Sequence, residues 1–490
     1  YSVIIGPRSV SLMLARRGTA TRKVNLCVMV FLTLQTHAVY QTLATTKDET
    51  SHRRACALEH KLGQIARMAG AKLDQSPDVC NRCYTERMES GAITRRHAAA
   101  AATLGLLMGR LGISAEKSGR VQVTRVPHDG LQPQLVSDER GVFHMVYYSG
   151  DARAGDLSYV RSMDQGATWS AAIAVNEPGS AIAAGTIRGA QMAIGRNGRI
   201  HVAWNGSSKA RLRGPLNPES GKPGEPMLYA RLKDAALAFE PQRNLMTRSF
   251  GLDGGGSVAA DKAGSVYVAW HGIGQQDANS NLDGEARRQV WVARSQDDGK
   301  SFAPENKAWH EPTGACGCCG MKVFADRDGN VTALYRSARE SIHRDIYLLR
   351  STDRGNAFNG RLLHEWDINA CPMSSMDFTE SEGRVLAAWE TGGQVYWASV
   401  TGAGNQKIVP AAAPGESKGR KHPRLASNKK GEILLVWTEG TGWQRGGSLA
   451  WQVYDNAGRP TSTNGKIPGV PVWSFAAPIA HPDGRFTIFY

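Results

Sequence analysis

The chain has 490 residues, of which 41% are hydrophobic and 21% are charged, so its composition is that of a globular protein and excludes wholesale disorder. The 54 glycines favour an all-β fold with many tight turns, and the short apolar runs exclude a multi-span membrane protein. The net charge of +15 is uneven, because residues 1–115 hold 16 Lys and Arg against 7 Asp and Glu. This distribution predicts a basic N-terminal tail and not a nucleic-acid groove.

The N-terminal region contains two signal-like segments. Basic residues at 16–23 precede an apolar run at 24–34, and the pair Arg95 and Arg96 precedes another at 98–109. A charged start before a short apolar run is typical of a secretory signal, and paired arginines suggest the twin-arginine route. We therefore expect three parts: residues 1–87 as a leader or over-extended reading frame that is poorly ordered or helical, residues 88–115 as a signal-like segment, and residues 116–490 as the folded domain. We expect the protein to be exported, to the periplasm or outside the cell.

A CxxC pair, Cys80 and Cys83, lies in the same region. His52, Cys56 and His60 precede it and could complete a zinc site. A single CxxC without a second pair at a matching spacing is weak evidence for zinc. We interpret these cysteines as incidental and predict no metal there.

A repeat occupies the rest of the chain. Seven times, a glycine that ends a turn is followed by an alternating strand and then by an aromatic residue six positions after the glycine. The seven copies begin and end at Gly141 and Tyr147, Gly198 and Trp204, Gly264 and Trp270, Gly329 and Tyr335, Gly383 and Trp389, Gly431 and Trp437, and Gly484 and Tyr490. Each glycine is expected to close a hairpin, where a positive φ is needed.

A second motif, S-x-D-x-G-x-T-W, follows the third strand of several repeats. It occupies residues 162–169 and returns at 295–302 and 351–358, with a worn copy at 234–239. It resembles the Asp box of sialidases and related bacterial-neuraminidase-repeat proteins, and this resemblance covers about residues 120–490. It implies a β-propeller of four-stranded antiparallel blades. It also implies that three aspartates are structural residues of turns and not catalysts, namely Asp164, Asp297 and Asp353.

The resemblance leaves the number of blades open. Sialidases have six blades, whereas this chain has six complete repeats and a closing half-repeat at the C-terminus. The strand-like segment 120–126 could pair with that terminal unit and remove the free sheet edges. We expect an all-β, sialidase-like propeller with six or seven blades.

Strand direction predicts that functional residues gather at one end of the propeller, where the loops before first strands meet those after second strands. In the sialidase family an arginine triad binds the sugar carboxylate, a tyrosine activated by a glutamate is the nucleophile, and an aspartate is the acid/base. The resemblance implies catalytic roles, by position, for Asp129, Arg188, Tyr335 (or Tyr148), Arg336, Glu390 and Glu439. It implies substrate-binding roles for His271, Arg339, Lys421, His422, Trp443 and Arg445.

The chain departs from the family in its first blade. The family's R-I-P motif falls at residues 131–133, which read Leu-Gln-Pro and lack the arginine, while residues 421–423 read Lys-His-Pro. Another triad could be formed by Arg188, Arg336 and Arg445. Because an incomplete triad weakens carboxylate binding, we expect weak or no turnover of simple sialosides.

Four cysteines lie in the propeller region, at Cys316, Cys318, Cys319 and Cys371. Exported proteins commonly pair their cysteines, and both segments lead into first strands of adjacent blades. We therefore expect these cysteines to form disulfides, with at least one bond between the 316–319 cluster and Cys371. The rival interpretation is a copper(I) site with His310 and either Met321 or Met373; we favour disulfides and predict no metal.

Two functions stay open. The first is an exported glycoside hydrolase of sialidase type, and the second is a non-catalytic propeller that binds a glycan, a protein or a metal through the same end. Neither requires an organic cofactor, since the chain has no phosphate loop and no dinucleotide fingerprint. We expect a glycan or glycoconjugate partner, no nucleic acid and no stable membrane span; the sequence does not indicate the oligomeric state.

Overall fold

The computed structural model describes residues 2–5, 8–11 and 119–490, apart from 234–236, 279, 283, 402–406 and 417–418. The chain divides into two units, Tyr1–Gly112 and Ile113–Tyr490. In the first unit, strands β1 (Ser2–Ile5) and β2 (Arg8–Ser11) form an antiparallel pair. The two signal-like segments and the CxxC pair, Cys80 and Cys83, lie outside the described residues.

The second unit is a seven-bladed β-propeller. Its first strand, β3 (Val121–Thr124), precedes blade 1. Blade 1 consists of β4 (Leu131–Ser137), β5 (Phe143–Ser149), β6 (Asp156–Ser162) and β7 (Ile173–Ala174). Blade 2 consists of β8 (Gln191–Ile194), β9 (Ile200–Asn205), β12 (Met227–Arg231) and β13 (Arg243–Asn244). Between β9 and β12 lies a small hairpin of β10 (Leu216–Asn217) and β11 (Lys222–Pro223).

Blades 3 to 5 follow the same antiparallel order. Blade 3 consists of β14 (Ser249–Phe250), β15 (Ser257–Ala260), β16 (Val266–Gly274), β17 (Gln289–Ser295) and β18 (Asn306–Lys307). Blade 4 consists of β19 (Lys322–Ala325), β20 (Val331–Arg336), β21 (Ile346–Ser351) and β22 (Asn359–His364). Blade 5 consists of β23 (Asp377–Ser381), β24 (Arg384–Thr391), β25 (Gln394–Ser399) and β26 (Ala411–Ala412).

The last two blades complete the ring. Blade 6 consists of β27 (Arg420–Ser427), β28 (Ile433–Glu439), β29 (Gly447–Tyr454) and β30 (Pro460–Val470). Blade 7 has three strands, because β31 (Ala477–Ala480) and β32 (Phe486–Phe489) are joined by β3 from the start of the unit. β3 runs parallel to β32, with Val121 opposite Phe486. The predicted pairing of segment 120–126 with the terminal repeat is therefore confirmed, and the ring has seven blades.

The first strands of all seven blades line one central channel of about 530 Å³. Two cations and one carboxylate meet in it, since Asp377 Oδ1 lies 3.5 Å from Lys322 Nζ and 3.6 Å from an Arg424 nitrogen. Apolar cores lie between the blades, and each of seven clusters is shared by two consecutive blades. The aromatic residues of the repeat belong to these cores; Trp204, Trp270 and Trp389 are almost fully buried.

Both sequence motifs form turns. The seven repeat glycines all have positive φ, from 72° at Gly198 to 95° at Gly264, which a residue with a Cβ adopts only with strain. In the Ser-Asp-Gly turn of blade 1, Ser162 Oγ donates to Asp164 Oδ1 at 2.7 Å and accepts from the Gly166 amide at 2.7 Å. The turns at 295–301 and 351–357 have the same bonds. These three aspartates accept hydrogen bonds within their own turns.

Helical structure in the described part of the chain is limited to short 3-10 segments, at Pro127–Asp129, Arg196–Gly198, Gln275–Asp277 and Gly284–Arg287. None of the described helices has the length and apolarity needed to cross a membrane.

Candidate functional site

A cleft of about 390 Å³ lies at the end of the propeller where loops enter the first strands, which we call the top. The cleft is lined by Met373, Lys421, Thr441, Trp443 and Arg445, and the glycines at 419, 440 and 442 form part of its wall. Two basic groups and one indole thus share one recess. We call it the cationic cleft.

A β-bulge positions Lys421. The register of β27 against β28 shifts at residues 421–424, and His422 has a φ of 52°. β4 in blade 1 has the same shift at residues 131–134, where Gln132 has a φ of 51°. The Lys-His-Pro and Leu-Gln-Pro motifs are therefore structural equivalents, since a proline in a strand is tolerated at a bulge.

The Lys421 ammonium group is half-buried and has no hydrogen bond or ion pair with any residue that the structure describes. Burial lowers the pKa of Lys421, and Arg445 and Arg336 act in the same direction. Glu390 and, to a smaller degree, Cys319 oppose this lowering electrostatically. Lys421 is thus a cation without a bound counter-ion on the wall of the cleft.

Two tryptophans form an aromatic edge beside this charge. Trp443 is 52% exposed, and its ring contacts Trp473 edge to face with centroids 4.7 Å apart. The Trp473 carbonyl oxygen accepts a hydrogen bond from Gln132 Nε2 at 2.8 Å, which ties the aromatic edge to blade 1. Arg445 lies in the same turn, where its carbonyl oxygen accepts from the Gly442 amide at 3.0 Å.

Arg188 approaches the same edge from blade 2. A Cβ placed on Gly185 would overlap the Arg188 guanidinium and stand 3.7 Å from Trp443 Cζ3. Arg188 Nη2 is held by Asp253 Oδ1 at 2.5 Å, and Arg188 Nε donates to the Asp253 carbonyl oxygen at 2.6 Å. The structure therefore brings Arg188 near the cleft, but with its charge paired.

Arg336 and Glu390 lie inside the protein. Each side chain is 1% exposed, and Arg336 Nη2 is 3.0 Å from Glu390 Oε2. Arg336 Nη1 also donates to the Arg344 carbonyl oxygen at 2.7 Å, and Glu390 Oε1 accepts from the Gly393 amide at 2.8 Å. Burial raises the pKa of Glu390 while Arg336 opposes this. The proposed triad of Arg188, Arg336 and Arg445 does not form as three open guanidinium groups, because Arg336 is occupied internally.

The tyrosines considered as nucleophiles are also buried. Tyr335 is 2% exposed, and its hydroxyl lies 2.6 Å from Thr313 Oγ1 in the core between blades 3 and 4. Burial raises the pKa of Tyr335, which makes its phenolate harder to form. Tyr148 donates to the Asp151 carbonyl oxygen and is fully buried. Neither hydroxyl lines the cationic cleft.

The remaining candidates for catalysis, Glu439 and Asp129, do not line the cationic cleft. Glu439 accepts from Trp437 Nε1 at 2.9 Å and is paired with Arg420 at 3.1 Å and Lys466 at 2.5 Å. Although partial burial acts in the opposite direction, these hydrogen bonds, above all that from Lys466, lower the pKa of Glu439. Asp129 is exposed before blade 1, with a φ of 54°.

The two predicted binding histidines are buried. His422 Nδ1 is 3.2 Å from Ser375 Oγ, and burial lowers the pKa of His422 to about 3. His271 is 0% exposed, and burial, with a smaller effect of Arg288, lowers its pKa to about 4. Both rings are therefore neutral near pH 7. Arg339 is an exposed residue 4.0 Å from a Glu340 oxygen and does not line the cleft.

The propeller cysteines form one disulfide, between Cys318 and Cys371, as predicted. Cys316 and Cys319 are buried free thiols, so the expectation that all four are disulfide-bonded does not hold in this structure. The Cys316 Sγ donates to Cys319 Sγ at 3.3 Å. Despite its burial, Cys319 has its pKa lowered to about 7 by this hydrogen bond and by Arg336. His310, a suggested metal ligand, is exposed.

Sequence reasoning missed the second tryptophan of the cleft edge. Trp473 lies shortly before the first strand of blade 7, whereas Lys421 and His422 lie at the start of the first strand of blade 6. The terminal half-repeat contains the signal, since the loop before its first strand is expected at the same end of the propeller as the corresponding loops of the other blades. Asp253, the partner of Arg188, was likewise recognisable only as one rim residue among many.

Comparisons with known proteins give matches of fold only. No family model matches the chain, and no curated protein matches it. A Hadza microbial sialidase is 16% identical, over 67% of this chain and 66% of its own, with a TM-score of 0.45. Trypanosoma rangeli sialidase in complex with the inhibitor DANA is 13% identical, over 65% of this chain and 54% of its own, with a TM-score of 0.44. Penicillium chrysogenum alpha-L-arabinanase complexed with arabinobiose is 15% identical, over 68% of this chain and 95% of its own, with a TM-score of 0.43.

The class of the protein follows from its own sheets. Antiparallel blades around one channel, closed by pairing between strands from the two ends of the unit, define a seven-bladed β-propeller, the fold predicted from the repeat. The chain spans between about half and two thirds of the length of the two sialidases above. The ligand of the protein is therefore inferred from the side chains that line the cationic cleft.

Proposed function

We propose that this protein is an exported propeller that binds acidic glycans in the cationic cleft. The observation that carries the proposal is Lys421, a half-buried ammonium group without a counter-ion, beside Arg445 and the exposed ring of Trp443. A partly desolvated cation gains more from an incoming carboxylate than an exposed one does, because water screens the pair less. An acidic sugar supplies both the carboxylate and an apolar ring face.

The aromatic edge suits the neutral part of such a ligand. Trp443 and Trp473 offer a rigid apolar surface with few rotatable bonds, and apolar sugar faces gain free energy by covering it. Arg445 is exposed and can make a bidentate contact with a carboxylate. Sialic and uronic acids at glycan termini both present these two features.

Binding is better supported than hydrolysis. A retaining sialidase-type mechanism needs an accessible nucleophile and an acid/base that face one sugar. Tyr335 and Glu390 are both buried, and Glu439 is held by three donors. We therefore expect weak or no turnover of simple sialosides, measured with a fluorogenic sialoside beside other acidic glycosides.

The experiment that tests the proposal is a glycan-binding screen with matched variants. The purified protein is tested against oligosaccharides that end in sialic or uronic acid and against their neutral counterparts. We expect binding of acidic ligands that is lost in Lys421→Ala and kept in Lys429→Ala, a lysine in the hairpin at the opposite end of blade 6. Equal binding of neutral ligands, or no effect of Lys421→Ala, would contradict the proposal.

Export is part of the same proposal. The Cys318–Cys371 disulfide fits an oxidising compartment, and the basic segment around Arg95 and Arg96 fits a signal. Mass spectrometry of the protein secreted by its native host should find a mature protein that lacks residues 1–115, and a mature N-terminus before Met88 would contradict this. Intact protein retained in the cytoplasm would count against export and would leave the glycan proposal to its own test.

A further inference from the structure

One level of the central channel is lined by polar side chains. In each first strand the residue at this level pairs with the residue directly before the aromatic residue of the repeat, as Lys322 pairs with Leu334 before Tyr335. Blade 7 contributes Ala477. The other six blades contribute Gln134, Gln191, Ser257, Lys322, Asp377 and Arg424. Because the register is the same in all seven blades, these residues lie at one level of the channel, and we call them the polar layer.

The side chains of the polar layer reach into the channel. Lys322 Nζ donates to Gln191 Oε1 at 3.2 Å, a contact between blades 4 and 2, which are not neighbours in the ring. Lys322 Nζ also lies 3.5 Å from Asp377 Oδ1, and Asp377 Oδ1 lies 3.6 Å from Arg424 Nη1. The Leu425 amide donates to Asp377 Oδ2 at 3.0 Å and holds the carboxylate in place. Charged groups from blades 4, 5 and 6 therefore meet at this level.

The polar layer carries one uncompensated positive charge. Lys322 and Arg424 are both cations, whereas Asp377 is the one carboxylate of the layer; Glu380, further along the channel wall, is paired with Arg327. Only 13% of the Lys322 side chain and 6% of the Arg424 side chain are exposed. Burial lowers the pKa of Lys322, Asp377 opposes this, and Arg424 adds to the lowering. A buried net charge is costly to the folded state unless a counter-ion is bound.

Two hydrogen-bond donors of the layer have no partner in the part of the chain that the structure describes. They are Gln134 Nε2 from blade 1 and Arg424 Nε from blade 6, and the two residues are 6% and 5% exposed. The Arg424 guanidinium lies 4.3 Å from the centroid of the Phe475 ring, which offers no oxygen or nitrogen acceptor. A buried donor without an acceptor costs free energy. Water accepts such hydrogen bonds but leaves the charge uncompensated, whereas an anion meets both needs.

We propose that the polar layer binds one chloride ion. A single negative charge balances the one excess positive charge, and a spherical anion accepts N–H groups that come from several blades. Two positions further along the same strands, six of the seven blades present apolar residues, namely Val136, Ala193, Ala259, Phe324, Ala426 and Ile479. Polar contacts are thus confined to one level, which suits a small ion. The residues that line the channel and those that line the cationic cleft do not overlap, so this is a separate site.

The test measures the melting temperature of the full chain in sodium chloride and in sodium methanesulfonate at equal ionic strength, so that screening of surface charges is the same. An ion that binds only the folded state stabilises it increasingly as its concentration rises above the dissociation constant, so the melting temperature should rise with chloride alone. In a crystal soaked with sodium bromide, anomalous scattering should show one ion beside Lys322 and Arg424. Equal melting temperatures in the two salts would overturn the proposal, and a bromide at this level would then be an adventitious ion only.

Variants of the layer should move the chloride effect in opposite directions. Lys322→Gln leaves the layer neutral and should abolish the effect, whereas Lys429→Gln, at an exposed lysine, is the matched control and should keep it. Asp377→Asn raises the excess charge from one to two while its amide oxygen still accepts from Leu425, so half-maximal stabilisation should need about 10-fold less chloride. Asp377→Asn also decides the question if Lys322→Gln does not fold. Lys421→Ala should keep the chloride effect, which separates this site from the cleft. An effect that survives Lys322→Gln, or one that weakens in Asp377→Asn, would contradict the assignment.

Discussion

At the scale of single residues, the charged side chains near the cleft differ in whether an oppositely charged side chain pairs with them. Arg336 and Glu390 neutralise each other in the core, and Arg188 is held by Asp253. Lys421 has no such partner among the residues described. A cation left unpaired at a partly buried position is costly to the folded state, so its presence in a cleft points to a ligand that is anionic.

The first prediction concerns Lys421. Replacing it by alanine should weaken binding of an acidic glycan by about 10- to 150-fold, since a charge-assisted contact is worth about 1.5–3 kcal/mol. Isothermal titration measures this, with Lys429→Ala as the control. An unchanged dissociation constant would show that the carboxylate is bound elsewhere.

A pH dependence follows from the lowered pKa of Lys421. Burial disfavours the charged ammonium group, so its proton is lost at a lower pH than from an ordinary lysine, whose pKa is about 10.4. Affinity for an anionic glycan should therefore fall as the pH rises through this lowered pKa. Lys421→Arg keeps its charge and should keep its affinity at high pH; a parallel loss in both proteins would assign the titration to another group.

At the scale of elements, the sequence was most informative where local geometry fixes the residue type. The repeat glycines and the Ser-Asp-Gly turns were predicted because positive φ and turn hydrogen bonds limit the choice of residues. Whether a side chain is buried in the core or lines the cleft was not predictable in the same way. All six residues of β20 are buried, so the strand that ends at Tyr335 and Arg336 has no polar alternation to tell an inward side chain from one in the cleft.

The Ser-Asp-Gly turns are expected to stabilise the fold through hydrogen bonds to their aspartates. Although partial burial acts in the opposite direction, hydrogen bonds from Ser301 and Ser295 lower the pKa of Asp297 to about 2. Asp297→Ala should therefore lower the free energy of unfolding by about 1 kcal/mol and leave glycan binding intact. Because the folded-state pKa is depressed, this contribution is present above the unfolded pKa near 3.9 and is lost as the pH falls through 2.

Denaturant unfolding at several pH values measures this effect. Glu365→Ala, which removes an exposed carboxylate from blade 4, is the control and should be close to neutral. A loss of glycan binding in folded Asp297→Ala would contradict a purely structural role for the turn.

At the scale of the whole molecule, stability depends on closing the ring. β3 comes from the start of the unit and pairs with β32 from its end, so the two ends of the unit share blade 7 and protect its edge. Repeat counting alone left six and seven blades open, because a half-repeat can be an appendage or a closing unit. The lining of the channel by seven first strands decides between them.

Ring closure is testable with one buried side chain. Val121 is 2% exposed in the core between blades 6 and 7, and Val121→Ala should lower the free energy of unfolding by about 1–3 kcal/mol. Gln122→Ala, on the exposed face of the same strand, should have almost no effect. Equal melting temperatures for the two variants would mean that β3 contributes little to closure.

Binding of an acidic glycan in the cationic cleft through Lys421 can be tested directly. Its most direct measurement is a crystal structure of the protein soaked with the best acidic oligosaccharide from the binding screen. We expect electron density for the sugar in the cleft, with its carboxylate within hydrogen-bonding distance of Lys421 and Arg445 and a ring face on Trp443. A ligand bound at another surface, or bound here with its carboxylate in solvent and Lys421 unoccupied, would contradict it.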